Sequence, residues 1–210
     1  MGYPSLHPLK KQEEKNTEFA ITDIEASQWI NFLCIGFCTK IDGEWFYRHF
    51  LSLEQYVDFL FSKNNPRKIL YAHFGGKYDF LFIMKQAFFS AKYEVHDIIP
   101  RGSSILSFSI STFKIAPNVE DPNDPNVFGK TDGGWKVKDK SIEFRDSSAL
   151  LPFALRSLCE SFKVDHKKLE VDYEKITKVT PELLEYMEYD HKGLYEVMEK
   201  YYQWPLIKLA

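Results

Sequence analysis

Phe19-Ala20-Ile21-Thr22-Asp23-Ile24-Glu25-Ala26 is the stretch on which the reading of this chain turns. It alternates as a β-strand does. Phe19 and Ile21 share one face, and the period of two puts Asp23 and Glu25 on that same face. Two carboxylates about 7 Å apart at the end of an apolar face are costly to bury unless something neutralises them. A pair of divalent cations does so, because hard metals take oxygen ligands. The pattern equally fits a strand whose last residues emerge into solvent, so the stretch alone leaves both readings open.

Around this strand lie 210 residues, 44% of them hydrophobic and 16% aromatic. That suffices for one domain with a sizeable core, plus a tail. No apolar run approaches the roughly 20 residues that span a bilayer, and neither a signal peptide nor a membrane partner is expected. Cys34, Cys38 and Cys159 are odd in number and have no repeated C-x-x-C spacing. They read as reduced, buried thiols in a cytosol-like compartment rather than as a zinc site. The net charge of −3 argues against a broad footprint on duplex nucleic acid. It permits a narrow channel in which metal ions offset acidic residues.

Residues 1–17 are polar and charge-dense and read as an N-terminal tail. Beyond the opening strand, residues 29–39 form a long apolar strand, and Asp42-Gly43 turns the chain back into a strand over 45–50. The acidic strand therefore opens a three-stranded antiparallel meander. Ser52-Leu53-Glu54-Gln55 fits a capping box, followed by Leu53, Val57, Leu60 and Phe61 at helical spacing. A short strand over 68–73 is broken by Gly75-Gly76 before an apolar helix over 78–88. Further strands are predicted over 93–99, 105–114 and 141–147. Residues 116–140 read as a long loop excursion, with Lys136, Lys138 and Lys140 along a DNA path or an edge. Pro152 is placed in the first turn of a helix ending near Phe162.

The last helix is capped by Thr180 and starts at Pro181. Leu183, Met187, Leu194 and Val197 fall on one face at 100° per residue, and Asp190 falls in the middle of that face. A carboxylate centred on a buried stripe is either paired with a Lys or Arg or recruited for chemistry. Asp79 adds a third acidic position, after the Gly-Gly break. Asp23, Glu25, Asp79 and Asp190 thus come from three separated segments, the inventory that two-metal phosphodiester hydrolysis needs. Tyr186, one helical turn from Asp190, is placed to orient an attacking water.

Three segments, in order, resemble the three motifs of the DEDDy 3′→5′ exonucleases: Asp23-Ile24-Glu25, Tyr71-Ala72-His73-Phe74-Gly75-Gly76-Lys77-Tyr78-Asp79, and Tyr186-Met187-Glu188-Tyr189-Asp190. The closer likeness is to the editing domain of protein-primed family B DNA polymerases of phages and linear plasmids. Phe144-Arg145-Asp146-Ser147-Ser148-Ala149-Leu150-Leu151-Pro152-Phe153 looks like that subfamily's D-S…L-P segment, and Lys168-Leu169-Glu170-Val171-Asp172-Tyr173 like its lysine motif. The resemblance covers roughly residues 18–200 and leaves 201–210 as a C-terminal segment that looks like the start of a further region.

The resemblance implies an α/β, RNase H-like fold, a mixed β-sheet flanked by helices. It implies two Mg²⁺ or Mn²⁺ ions held by Asp23, Glu25, Asp79 and Asp190, with Tyr186 positioning the water and Lys168 assisting. Ser147, Tyr173, Tyr78 and Phe74 match positions in the segments that grip the single-stranded DNA 3′ end. Ala26, Phe74-Gly75 and Ser148 depart from the residues usual in those motifs, and all three departures touch strand grip rather than metal ligation. The His-dependent sister class does not fit, because Glu185 stands five positions before Asp190 and His191 lies on the wrong side. Nothing resembles the palm motifs of a polymerase, so a polymerase domain or subunit and a terminal protein are expected as partners, in the cytoplasm of a phage-infected or plasmid-bearing cell. Two other readings stand beside the nuclease: a non-catalytic RNase H-like module that binds a primer end or a partner, and an exonuclease acting on RNA.

Overall fold

The computed structural model describes residues 18–28, 30–170 and 176–203. Within them, eight strands form one mixed sheet. The strands are β1 (Phe19–Ser27), β2 (Asn31–Ile41), β3 (Glu44–Phe50), β4 (Ile69–Ala72), β5 (Tyr93–Arg101), β6 (Ser104–Ala116), β7 (Val127–Thr131) and β8 (Gly134–Asp146). The order across the sheet is β3-β2-β1-β4-β8-β6-β5, with β7 paired to β8. The expected meander β1-β2-β3 is antiparallel throughout. At the centre, β4 runs parallel to both β1 and β8. The carboxyl ends of these three parallel strands therefore open together on one edge, where α/β sheets place their ligands.

Helices cover both faces. On one side α1 (Leu53–Leu60) and α2 (Asp79–Phe88) pack over Ala20, Ile24, Phe108 and Phe144. On the other, α3 (Leu155–Phe162) and α4 (Pro181–Gln203) pack over Phe19, Ile21 and Tyr71. With both faces of β1 buried, its odd residues look toward α4, and this is the face that ends in Asp23 and Glu25. The caps follow the sequence. Ser52 Oγ accepts from the Gln55 N–H at 3.4 Å, and Thr180 Oγ1 from the Leu183 N–H at 3.2 Å. No helix among the described residues is long and apolar enough to cross a membrane.

Several expectations change. Residues 116–140 contain β7 and the first half of β8, so the excursion is largely a β-ribbon. Its strands continue the β6–β8 ladder beyond the core. Lys136 is paired with Glu94 at 2.5 Å and lies over the Phe113 ring. Pro152 precedes α3 rather than entering it, since the cap is Ala154. Tyr202 closes onto Tyr71 through its hydroxyl, and Tyr201 packs against the same cluster. The N-terminal tail and residues 204–210 lie outside the described residues.

Candidate active site

Asp23 and Glu25 stand near the carboxyl end of β1, where the pairing with β2 shifts register between Glu25 and Ala26. Such a shift re-aims side chains at a strand end. Glu25 is buried, and burial pushes its carboxyl up to about 9, with Asp23 and Asp190 adding to the shift. Burial also raises Asp23; His191 opposes this and Asp190 reinforces it. Asp79 opens α2 and is held well above the usual carboxylate range by burial, by Asp23 and Glu25, and by a hydrogen bond with Asp23. Asp23 thus raises both Glu25 and Asp79, as expected of carboxylates that share one small volume.

Asp79 is delivered by the loop after β4. Phe74 adopts a left-handed conformation, φ 59°, which is uncommon for a non-glycine residue. The loop is held by Asp146, buried at the end of β8, which accepts the N–H groups of Phe74 at 3.0 Å, Gly76 at 3.2 Å and Ser148 at 2.9 Å. Gly76 permits this fit, because a Cβ there would overlap the Ile105 carbonyl and stand 2.9 Å from Asp146 Oδ2.

The fourth carboxylate, Asp190, is buried on α4. Its Oδ2 accepts from Lys168 Nζ, which also donates to the Tyr186 hydroxyl at 2.6 Å and lies 5.0 Å from the Tyr186 ring centre. Tyr186 is itself buried and meets the cleft through Lys168. Asp190 Oδ1 is buried without a hydrogen-bond partner.

Asp23, Glu25, Asp79, Asp190 and Lys168 line a cleft of two overlapping lobes, of about 680 and 470 Å³, which share Asp23, His73, Phe74 and Lys168. The larger runs past Glu25, Tyr78 and Asp79; the smaller runs past Asp190 and His191 to the start of α3. Among the described residues, no three His, Cys, Asp or Glu side chains form a closed metal-binding group. The donor set nonetheless suits hard divalent cations. It offers four mostly buried carboxylates, three of them (Asp23, Glu25 and Asp79) with raised proton affinity, and Asp190 Oδ1 has no partner.

Phe74 (40% exposed) and Tyr78 line the cleft, and burial pushes the Tyr78 phenol up to about 12, with Asp79 and Glu25 adding. Ser147 does not. It is fully buried; its hydroxyl bonds the Ala72 carbonyl at 3.1 Å and His73 Nδ1 at 3.0 Å. The 3₁₀ turn Ser147–Ala149 tucks it under His73, so it orients that ring instead of facing a strand. Tyr173 lies outside the described residues. Sequence reasoning passed over His73, whose Nε2 donates to the Phe153 carbonyl at 2.7 Å and whose ring packs edge-on to Phe74. It set His191 aside as lying on the wrong side of Asp190, yet His191 lines the smaller lobe. An isolated histidine carries no spacing signal. Asp146 had one: Ile142, Phe144 and Asp146 repeat the apolar-to-acid alternation of β1.

Residues 61–180 match the family model described as DNA polymerase type B, organellar and viral. A DNA-directed DNA polymerase of Enterobacteria phage PRD1 is 27% identical over 146 residues, which are 70% of this chain and 19% of that protein. Phi29 DNA polymerase complexed with single-stranded DNA is similar in structure, with a TM-score of 0.61 at 20% identity, over 89% of this chain and 31% of that one. Its orthorhombic crystal form gives a TM-score of 0.61 at 18% identity, over 91% and 32%. The fold is RNase H-like, an α/β mixed sheet flanked by helices, similar to a part of that polymerase. This chain spans about a fifth of the phage PRD1 polymerase and about a third of the phi29 enzyme.

Proposed function

Because this chain belongs to the organellar and viral type B DNA polymerase family, we propose that it is the 3′→5′ exonuclease domain of a protein-primed member. It hydrolyses single-stranded DNA 3′ ends to nucleoside 5′-monophosphates. One observation carries this reading. Asp23 and Glu25 from β1, Asp79 from α2 and Asp190 from α4 meet in one cleft at the carboxyl ends of the parallel strands.

Two Mg²⁺ or Mn²⁺ ions held by these carboxylates would supply an activated water and offset charge on the scissile phosphate and the leaving 3′ oxygen. The protein's own groups do the rest. Lys168 donates to Asp190 and to the Tyr186 oxygen, and the Tyr186 phenolic proton orients the water. Phe74 and Tyr78 offer ring faces to the terminal bases; Tyr173 is assigned to strand binding by its sequence motif alone. Ser147 contributes through His73. A polymerase domain or subunit and a terminal protein are the macromolecular partners this reading implies.

The test is a gel time course on 5′-labelled single-stranded DNA in Mn²⁺ and in EDTA, with Asp23→Ala/Glu25→Ala alongside. A metal-dependent ladder that shortens from the 3′ end, lost by several orders of magnitude in the folded double variant, is expected. Undiminished shortening in that variant sinks the reading. One observation favours a non-catalytic module that holds a primer end: the Lys168 ammonium pairs with the Asp190 carboxylate. Such a module would gain no thermal stability from Mn²⁺, whereas the nuclease site would.

A further inference from the structure

The segment that carries Lys168, residues 163–170, has no helix or strand of its own. A side chain on irregular backbone is placed only as well as the chain beneath it is held. Here the hold comes from α4. Glu196 is 8% exposed, and Oε2 accepts the N–H groups of Asp165 at 2.8 Å and His166 at 3.1 Å. Its Oε1 accepts His166 Nδ1–H at 2.7 Å. One carboxylate thus takes three donors from two consecutive residues.

One turn earlier on the same helix, Gly193 lets the His166 carbonyl lie against α4; a Cβ there would stand 2.6 Å from that oxygen. Earlier again, Asp190 and Tyr186 receive Lys168 Nζ. Tyr186, Asp190, Gly193 and Glu196 are spaced by four, three and three residues, which is a single stripe on a helix. The segment crosses this stripe in the opposite direction, meeting Glu196 at 165–166, Gly193 at 166, and Asp190 with Tyr186 at 168.

We propose that Glu196 is a positioning residue. By binding Asp165 and His166 it fixes the register of the segment on α4, and so sets Lys168 Nζ between Asp190 and Tyr186. The catalytic consequence rests on the exonuclease reading above; the mechanical one does not.

Glu196→Gln and Gly193→Ala perturb the same register from two sides, each made alone and with Lys168→Ala. Both are expected to lower kcat on 5′-labelled single-stranded DNA on the order of 10- to 100-fold, with little change in KM. Neither is expected to add to the loss caused by Lys168→Ala, because both act through that lysine. In parallel, limited trypsin digestion is expected to cut after Lys163, Lys167 or Lys168 faster in both single variants, while thermal unfolding stays a single transition. Wild-type kcat in Glu196→Gln, or losses that multiply with that of Lys168→Ala, overturns the proposal and leaves the exonuclease reading standing. Unchanged trypsin sensitivity overturns it whatever the activity. If the wild-type chain shows no exonuclease activity, the functional reading falls, and the digestion alone decides whether Glu196 holds the segment. Should Glu196→Gln fail to fold, Gly193→Ala is judged by the same criteria.

Discussion

Glu25 holds its proton up to about pH 9 because burial strips its carboxyl of water and Asp23 and Asp190 stand beside it. In the unfolded chain it titrates near 4.5, so between these values the folded state binds the extra proton. Stability contributed by that proton is full below the lower value and lost as pH rises through the upper one. In EDTA the unfolding midpoint is therefore expected to fall as the pH is raised from about 5 to about 9. Cations compete with those protons, so Mn²⁺ is expected to raise the midpoint more at about pH 8.5 than at about pH 6. Thermal melts at both pH values, with and without Mn²⁺, decide it. A Mn²⁺ effect that shrinks with rising pH would contradict the assignment of Glu25 to the metal-binding set.

At the scale of elements, β1 and β8 carry the same signal and use it differently. Phe19, Ile21, Asp23 and Glu25 end in acids that crowd one another, whereas Ile142, Phe144 and Asp146 end in an acid satisfied by three backbone N–H groups. Alternation marks where an acid is buried; the neighbouring loop decides what satisfies it. Asp146→Ala would orphan the N–H groups that shape residues 74–76. It is expected to destabilise the domain by at least about 2 kcal/mol in chemical denaturation, and to blunt the Mn²⁺ effect because Asp79 follows that loop. A variant as stable as the wild type would show that the loop is held by other contacts. α4 is the second organising element. Its apolar stripe was legible at helical spacing, with Asp190 in its midst, whereas no spacing singled out Glu196.

For the whole molecule, the parallel arrangement of β1, β4 and β8 gathers the site at one edge of the sheet, and helices on both faces bury its walls. The chain has a net charge of −3, and the cleft concentrates four carboxylates, of which Asp190 is paired with the Lys168 ammonium. Such a cleft repels a phosphate backbone until cations enter. Fluorescence anisotropy with a labelled single-stranded oligonucleotide is therefore expected to show weak binding in EDTA and tighter binding in Ca²⁺, a hard cation that takes oxygen ligands. Equal affinity in the two conditions would mean that the strand is gripped away from the carboxylates.

The sequence by itself determined which elements carry the four acids that line the cleft. Those depend on short-range periodicity: two residues along β1, 3.6 along α4, and the Gly-Gly break before Asp79. The RNase H-like fold was legible too, through the order of motifs along the chain. Only the tertiary structure decided which polar groups answer one another across long separations. Ser147 turned inward to His73, Asp146 to the loop before α2, and Glu196 to the segment that carries Lys168. A buried polar group must find a partner, and which one it meets is set by the packing of elements far apart in the chain, which no local spacing encodes.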